Sequence, residues 1–336
     1  MKNELPIVPT PISTYPGGNA MLSIVLSHPE SLPWFYQSFI QIYANPRDDA
    51  SVAGNFIQSD LGACECPFLS VNAFRSTLID LKWDRFSDFA RDCINQNHYV
   101  YTWTNRFYIR PCQNYNKNHF LHPIFIYGYN DEKRIFKAAG FFYGFYNYVE
   151  IDYDEVDAGY QNYELAENKW GIHGAHLLYY LNIKRTFQIQ EVVTSLEDYL
   201  YGRDSTNIFY YHSLHEVSND MLYGIHFYDA LDIFLKRKLI DQRPFHILYE
   251  HKKLMVQRLD YISKQFGFPA ENAIKAYQDL MKECEKLRNM ILKINIESDF
   301  GVEKQRKTSQ LISDLRCKET KALENLIAYL KEFFHL

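Results

Sequence analysis

The chain predicts an α+β protein with its strands in the first part and its helices in the second. Two observations carry this. β-branched and aromatic runs of strand type concentrate between residues 97 and 190. Beyond Gln190, apolar residues recur at intervals of three and four, the spacing of one helix face. A boundary near residue 190 thus separates a sheet-bearing domain, 1–190, from a helical domain, 191–336, and 336 residues suffice for two modest cores.

Composition excludes several classes of function. The chain is 47% hydrophobic and 23% charged, ordinary for a globular protein. Its net charge of −5 and lack of a long basic block give no electrostatic footprint for nucleic acid. No apolar run approaches the ~20 residues that span a bilayer, and the opening MKNELPIVPTPIS has no apolar signal region. Six scattered cysteines read as reduced thiols in a cytoplasm. Cys64 and Cys66 make only C-x-C, without a second pair at zinc spacing, so neither a metal nor a cofactor is expected. The aromatic share, 16% with 27 tyrosines, suits an aromatic core with tyrosines at its edge, or a partly wet groove.

In chain order, a proline-rich lead-in over 5–18 ends in a Gly17-Gly18 turn, and Asn19 is placed to cap the helix that follows. Such a helix start is where a dipole can activate a thiolate, but the residue here is asparagine. Residues 31–43 read as a buried helix, 45–60 as polar loop, and 84–95 as a short amphipathic helix. The central stretch follows: a strand from Tyr99 to Trp103, a loop over 111–118, and a strand from His122 to Tyr129 closed by Asn130-Asp131. His122 stands at the mouth of an apolar strand just after a loop, where a sheet can hold a base at its edge.

Strand candidates continue at 134–142, 149–151 and 176–188. Between them, the carboxylates of DYDEVDAGYQ fit the first turn of a helix. The tail reads as amphipathic helices, the first closed by Gly202 and the last two packed antiparallel.

The segment HFLHPIFIYGYNDEKRIF resembles the histidine strand of papain-like folds, including bacteriocin-processing cysteine peptidases. Taken with the Gly-Gly helix entry and YEHKKLM, the H-x-x-H-P-x-x-x-Y-G-Y-N-D strand is similar to the butirosin biosynthesis protein H family of natural-product pathways. The resemblance covers roughly 5–190. It implies a papain-like domain with a central antiparallel sheet, and acyl transfer in nonribosomal peptide or related biosynthesis: a cysteine takes an acyl or peptidyl group from a carrier-protein thioester and passes it to an amine. His122 would be the base.

The pattern departs from the family twice. Asn19 stands at the helix start expected to carry the nucleophile, and Lys137-Ala138-Ala139-Gly140 occupies the strand expected to orient the histidine. Cys64 and Cys66 are the candidate substitutes for the thiol. His119 and the strand aromatics Tyr101, Trp103 and Tyr129 are the candidates for contacting substrate. Two functions are therefore expected: a degenerate papain-like acyltransferase, or amide-forming or -cleaving enzyme, and a non-catalytic accessory protein that binds a synthetase or carrier domain.

Overall fold

The computed structural model describes residues 1–47, 53–59, 66–168, 171–205, 220–237, 240–297 and 301–336. The chain is α+β and divides into two compact units, Met1–Pro29 with Cys66–Lys184, and Glu30–Glu65 with Arg185–Leu336. Residues 30–65, expected in the first domain, group with the C-terminal helices.

In the first unit the described elements are β1 (Lys2–Glu4), α1 (Pro16–Val25), β4 (Leu69–Arg75), α3 (Ser76–Ile79), α4 (Phe86–Asn95), β5 (Tyr99–Asn105), β6 (Leu121–Asn130), β7 (Ile135–Phe142), β8 (Phe145–Asp152), α5 (Tyr153–Gln161) and β9 (Gly174–Tyr180). The strands form one antiparallel sheet in the order β4-β9-β5-β6-β7-β8, with β1 added against β6. β5 and β6 are near-continuous apolar runs because both faces of the sheet are covered. α5 lies over the face of Thr104, where a Cβ on Gly159 would come within 3.3 Å of the threonine side chain. The N-terminal lead-in lies on the other face, held by Tyr99 Oη donating to Pro6 O at 2.6 Å, since residues an odd number apart point to opposite sides. α1 packs on β6 and β7.

Three expectations shift here. The first helix begins at Pro16 and not after Asn19; proline is pre-set for a first helical position, where the missing N–H costs nothing. Gly17-Gly18 is thus the first turn of α1, not a turn before it. The strand predicted over 176–188 stops at Tyr180. The turn between β7 and β8 is only Tyr143 and Gly144, both at positive φ (+54° and +91°), so β8 runs from Phe145 and is longer than predicted.

The ladder between β6 and β7 is incomplete, and this positions the site. Pairing runs from Asn130↔Ile135 to Phe125↔Ala139 and ends there. Leu121 to Ile124 pair with β5 alone, and Gly140 to Phe142 with β8 alone. The two strands therefore part at the end that carries His122.

The second unit holds α2 (Leu32–Ser38), β2 (Ile42–Ala44), β3 (Gly54–Phe56), α6 (Ile189–Leu200), β10 (Leu222–Tyr223), α7 (Phe227–Leu235), α8 (Arg243–Phe266), α9 (Glu271–Glu297) and α10 (Val302–Phe334). The helix predicted over 31–43 ends at Ser38, and β2 follows it. Arg258 donates Nε to Tyr36 O (2.6 Å) and Nη2 to Phe39 O (2.7 Å), satisfying carbonyls that the helix end leaves open. β3 interrupts the stretch predicted as loop over 45–60. Gly202 closes α6 at φ +60°, as its glycine signals. α9 and α10 run antiparallel: Glu297 pairs with Lys304 and Glu283 with Lys318. No helix among the described residues is long and apolar enough to cross a membrane.

Candidate functional site

His122 opens β6 beside the parting of the strands. Its ring stacks near Phe120 (6.4 Å between centroids) and meets Phe141 edge-on (5.6 Å). Arg106 Nη2 lies 3.1 Å from His122 Nδ1 and donates to Pro123 O at 2.6 Å. A guanidinium only donates, so Nδ1 is the acceptor and the proton sits on Nε2; this argument, not a visible hydrogen, assigns the tautomer. Burial first, then the Arg106 charge, lower the His122 pKa to about 3, against a small raising effect of the Pro123 carbonyl. The imidazole is neutral at physiological pH, and the nitrogen that would take a proton faces a cation. In this tautomer the ring's one accepting nitrogen is occupied by Arg106.

Arg106 is the residue that sequence reasoning missed. It follows β5 directly, is 2% exposed, and lies over the Phe142 ring at 4.8 Å. Nη1 donates to Cys112 Sγ at 2.9 Å. A Cβ on Gly140 would stand 3.3 Å from Nη2, so glycine leaves the guanidinium its place in β7. The three acceptors are a thiol, a carbonyl and an imidazole, all neutral. Burial pushes the Cys112 thiol up, outweighing the lowering effect of Arg106. Among the described residues no carboxylate pairs with Arg106. The sequence offered no signal for it, because Asn-Arg-Phe-Tyr after a strand has the look of a solvated turn.

The other candidates do not assemble around His122. Asn19 is buried in the first turn of α1; its Nδ2 donates to Ile12 O at 2.8 Å, and its Oδ1 is buried without a partner. Cys64 lies outside the described residues. Cys66 is buried and not in a disulfide. His119 Nδ1 accepts from Asn105 Nδ2 at 3.0 Å and stacks on Phe107 at 4.4 Å, a separate set of partners from those of His122.

Of the three aromatics proposed for substrate, Tyr129 is core: its hydroxyl donates to Asn95 Oδ1 at 2.8 Å, tying β6 to the end of α4. Trp103 packs on Leu121, Tyr163 and Ala166, with Gly171 (φ +82°) against its indole. Tyr101 alone faces a tyrosine-rich surface. By register, His176, Tyr101, Phe125, Ala139 and Tyr148 form one row across five strands, and Phe141 and Tyr146 continue that face. Tyr146 and Tyr148 meet edge-to-face at 6.2 Å, and Tyr127 and Tyr148 at 6.3 Å.

The acidic run of 152–157 is taken up in ion pairs. Asp154 and Asp157 pair with Arg85, and Asp152 and Glu155 with Arg110. Asp157 also accepts from Ser87 N at 2.7 Å, capping α4 from α5. No group of three or more His, Cys, Asp or Glu among the described residues is placed to hold a metal ion.

Among models of protein families and among curated proteins, nothing matches this chain.

Proposed function

We propose that this chain is a non-catalytic accessory protein on a papain-like α+β scaffold, binding the carrier or synthetase domain on which a catalytic relative would act. The observation that carries the reading is the Arg106–His122 contact, which leaves the histidine neutral with its accepting nitrogen engaged. Asn19, in place of a thiol at the helix start, supports it, as do the buried Cys93 and Cys284 with pKa values pushed up to about 12. A triad short of its nucleophile and its base loses most of its rate enhancement. α1 packed on β6 and β7 supports the papain-like comparison.

The test uses the full chain and an acyl-loaded carrier domain. Binding is measured by calorimetry, and transfer to an amine by mass spectrometry under single-turnover conditions. The expected result is saturable binding, equal for wild type and His122→Ala, with no amide above the uncatalysed level. Amide formed by wild type and lost in His122→Ala would restore the acyltransferase reading.

A further inference from the structure

The turn between α8 and α9 reads Phe266-Gly267-Phe268-Pro269, and its backbone sends the two phenylalanines to different places. Gly267 takes the left-handed conformation (φ +67°) that closes a helix, and the proline that follows bars its continuation. Phe268 is carried into the interior with no exposed surface, while Phe266 stays 41% exposed. A Cβ on Gly267 would meet nothing within 4 Å, so the turn faces open space.

Phe268 is the base of a continuous set of rings, all within the second unit. Tyr329 and Phe333 of α10 stand 4.9 and 5.3 Å from it, and Phe334 stands 6.1 Å away. Phe334 meets Phe266 at 5.9 Å, and Phe266 meets Phe187, just before α6, at 5.4 Å. The inward stripe of this part of α10 is Leu323, Leu326, Ile327 and Leu330. Tyr329 and Phe333, four residues apart, form a second stripe beside it, and they remain 39% and 37% exposed. Apolar residues scattered singly over a surface need no explanation. Rings in unbroken contact across α8, α10 and the entry to α6 mark a surface that something covers.

Size and charge select the occupant. With a whole aromatic side chain at about 200 Å², the open parts of Phe266, Tyr329 and Phe333 come to roughly 240 Å². A specific interface needs about 500 Å² from each partner, as an apolar centre within a polar rim. The rings supply that centre, and the side chains around them the remainder. The rim carries both signs, already paired: Lys264 with Asp260, and Lys331 with Glu197. Cations held in this way do not recommend the patch to an anionic lipid surface or an acidic partner. A rim of balanced charge does not repel its own likeness, and a two-fold axis sets its lysines against its own carboxylates.

We propose that the aromatic end of α8 and α10 is a self-association surface, joining two copies of this chain about a two-fold axis. This rests on nothing in the carrier reading, and either can fail without the other.

Sedimentation velocity of the full chain over a concentration series is the test. The expected result is a monomer–dimer equilibrium with a Kd below about 100 µM. Phe266→Glu and Phe333→Glu each alter a partly exposed ring on a different helix, so both should fold, as circular dichroism would confirm. Each should weaken the dimer at least about tenfold. Leu81→Glu, at a residue 81% exposed in the first unit, should leave it unchanged. Vesicles of phosphatidylcholine, with and without phosphatidylserine, should not pellet the wild type. Four outcomes overturn the proposal: monomer alone at every concentration, a dimer undisturbed by either ring substitution, equal weakening by Leu81→Glu, or a monomer that pellets with vesicles unless Phe266 or Phe333 is replaced.

Discussion

At the scale of single residues, replacing His122 by glutamine keeps an acceptor for Arg106 but removes a group that titrates. The unfolded histidine takes up a proton as pH falls through 6.5, whereas the folded one stays neutral until about 3. The unfolded state therefore binds more protons across that window. Stability is lost as pH drops from 6.5 towards 3, and this contribution is flat above 6.5. Urea denaturation of wild type and His122→Gln at neutral pH and at about pH 4.5 should show the variant losing less on acidification, by roughly 2 kcal/mol. Equal acid sensitivity of the two proteins would mean that the folded histidine titrates normally. His251 has the same sign for the same reason, its pKa held well below the usual value by burial and then by the Lys252 charge. The comparison with the variant isolates His122 from it.

At the scale of elements, the segment YEHKKLM builds the interior of the helical unit. Lys252 of α8 and Glu319 of α10 are both 0% exposed and form an ion pair. Tyr228 donates to the same carboxylate at 2.7 Å and Tyr199 at 3.3 Å, while His251 Nε2 donates to Ile40 O at 2.9 Å. Each member of this network is satisfied, and the pair fixes α10 against α8. Glu319→Leu alone would strand a buried ammonium and should cost about 3–5 kcal/mol. Adding Lys252→Met should recover much of that loss, with a coupling above ~1 kcal/mol in a double-mutant cycle by urea denaturation. Additive losses would deny that the pair acts as a unit.

The apolar face of α9 was largely legible from spacing alone: of Ile274, Tyr277, Leu280, Cys284, Leu287, Ile291 and Ile294, all but the half-buried Ile274 are buried as the three-and-four pattern requires. In α10 the spacing turns Ile312, Leu315, Ala322, Leu326 and Phe333 inward; Ile312, Leu315 and Leu326 are buried, but Leu323 rather than Ala322 is, and Phe333 is 37% exposed. Period fixes a face only to within a residue. The charged residues Lys252 and Glu319 gave no sign in the sequence of their burial, because each needs a partner some 67 positions away in the chain.

At the scale of the whole molecule, composition and period sufficed for an α+β chain. They could not assign residues 30–65, whose partners lie about two hundred positions further on. Arg258 closes α2, and Phe39, Ile40 and Phe56 are buried within the second unit. A fragment of residues 1–190 would therefore leave that segment without its cover. It should be insoluble or bind a hydrophobic dye strongly, while the full chain does not. A soluble fragment with dispersed amide resonances and no dye binding would show that 30–65 needs nothing from the helices. The candidate site was half legible for a related reason. His122 stands out by position at a strand mouth, but its meaning depends on Arg106, sixteen residues earlier, and on where β6 and β7 cease to pair.

That dependence makes the protonation of one ring the deciding quantity. The most direct measurement is a nitrogen-15 NMR titration of the imidazole, assigned by loss of its signals in His122→Gln. The expected result is a neutral ring with its proton on Nε2 and no titration until pH falls near about 3. A midpoint close to 6.5, or a proton found on Nδ1, would contradict the hold of Arg106 on His122 and return the histidine to the role of a base.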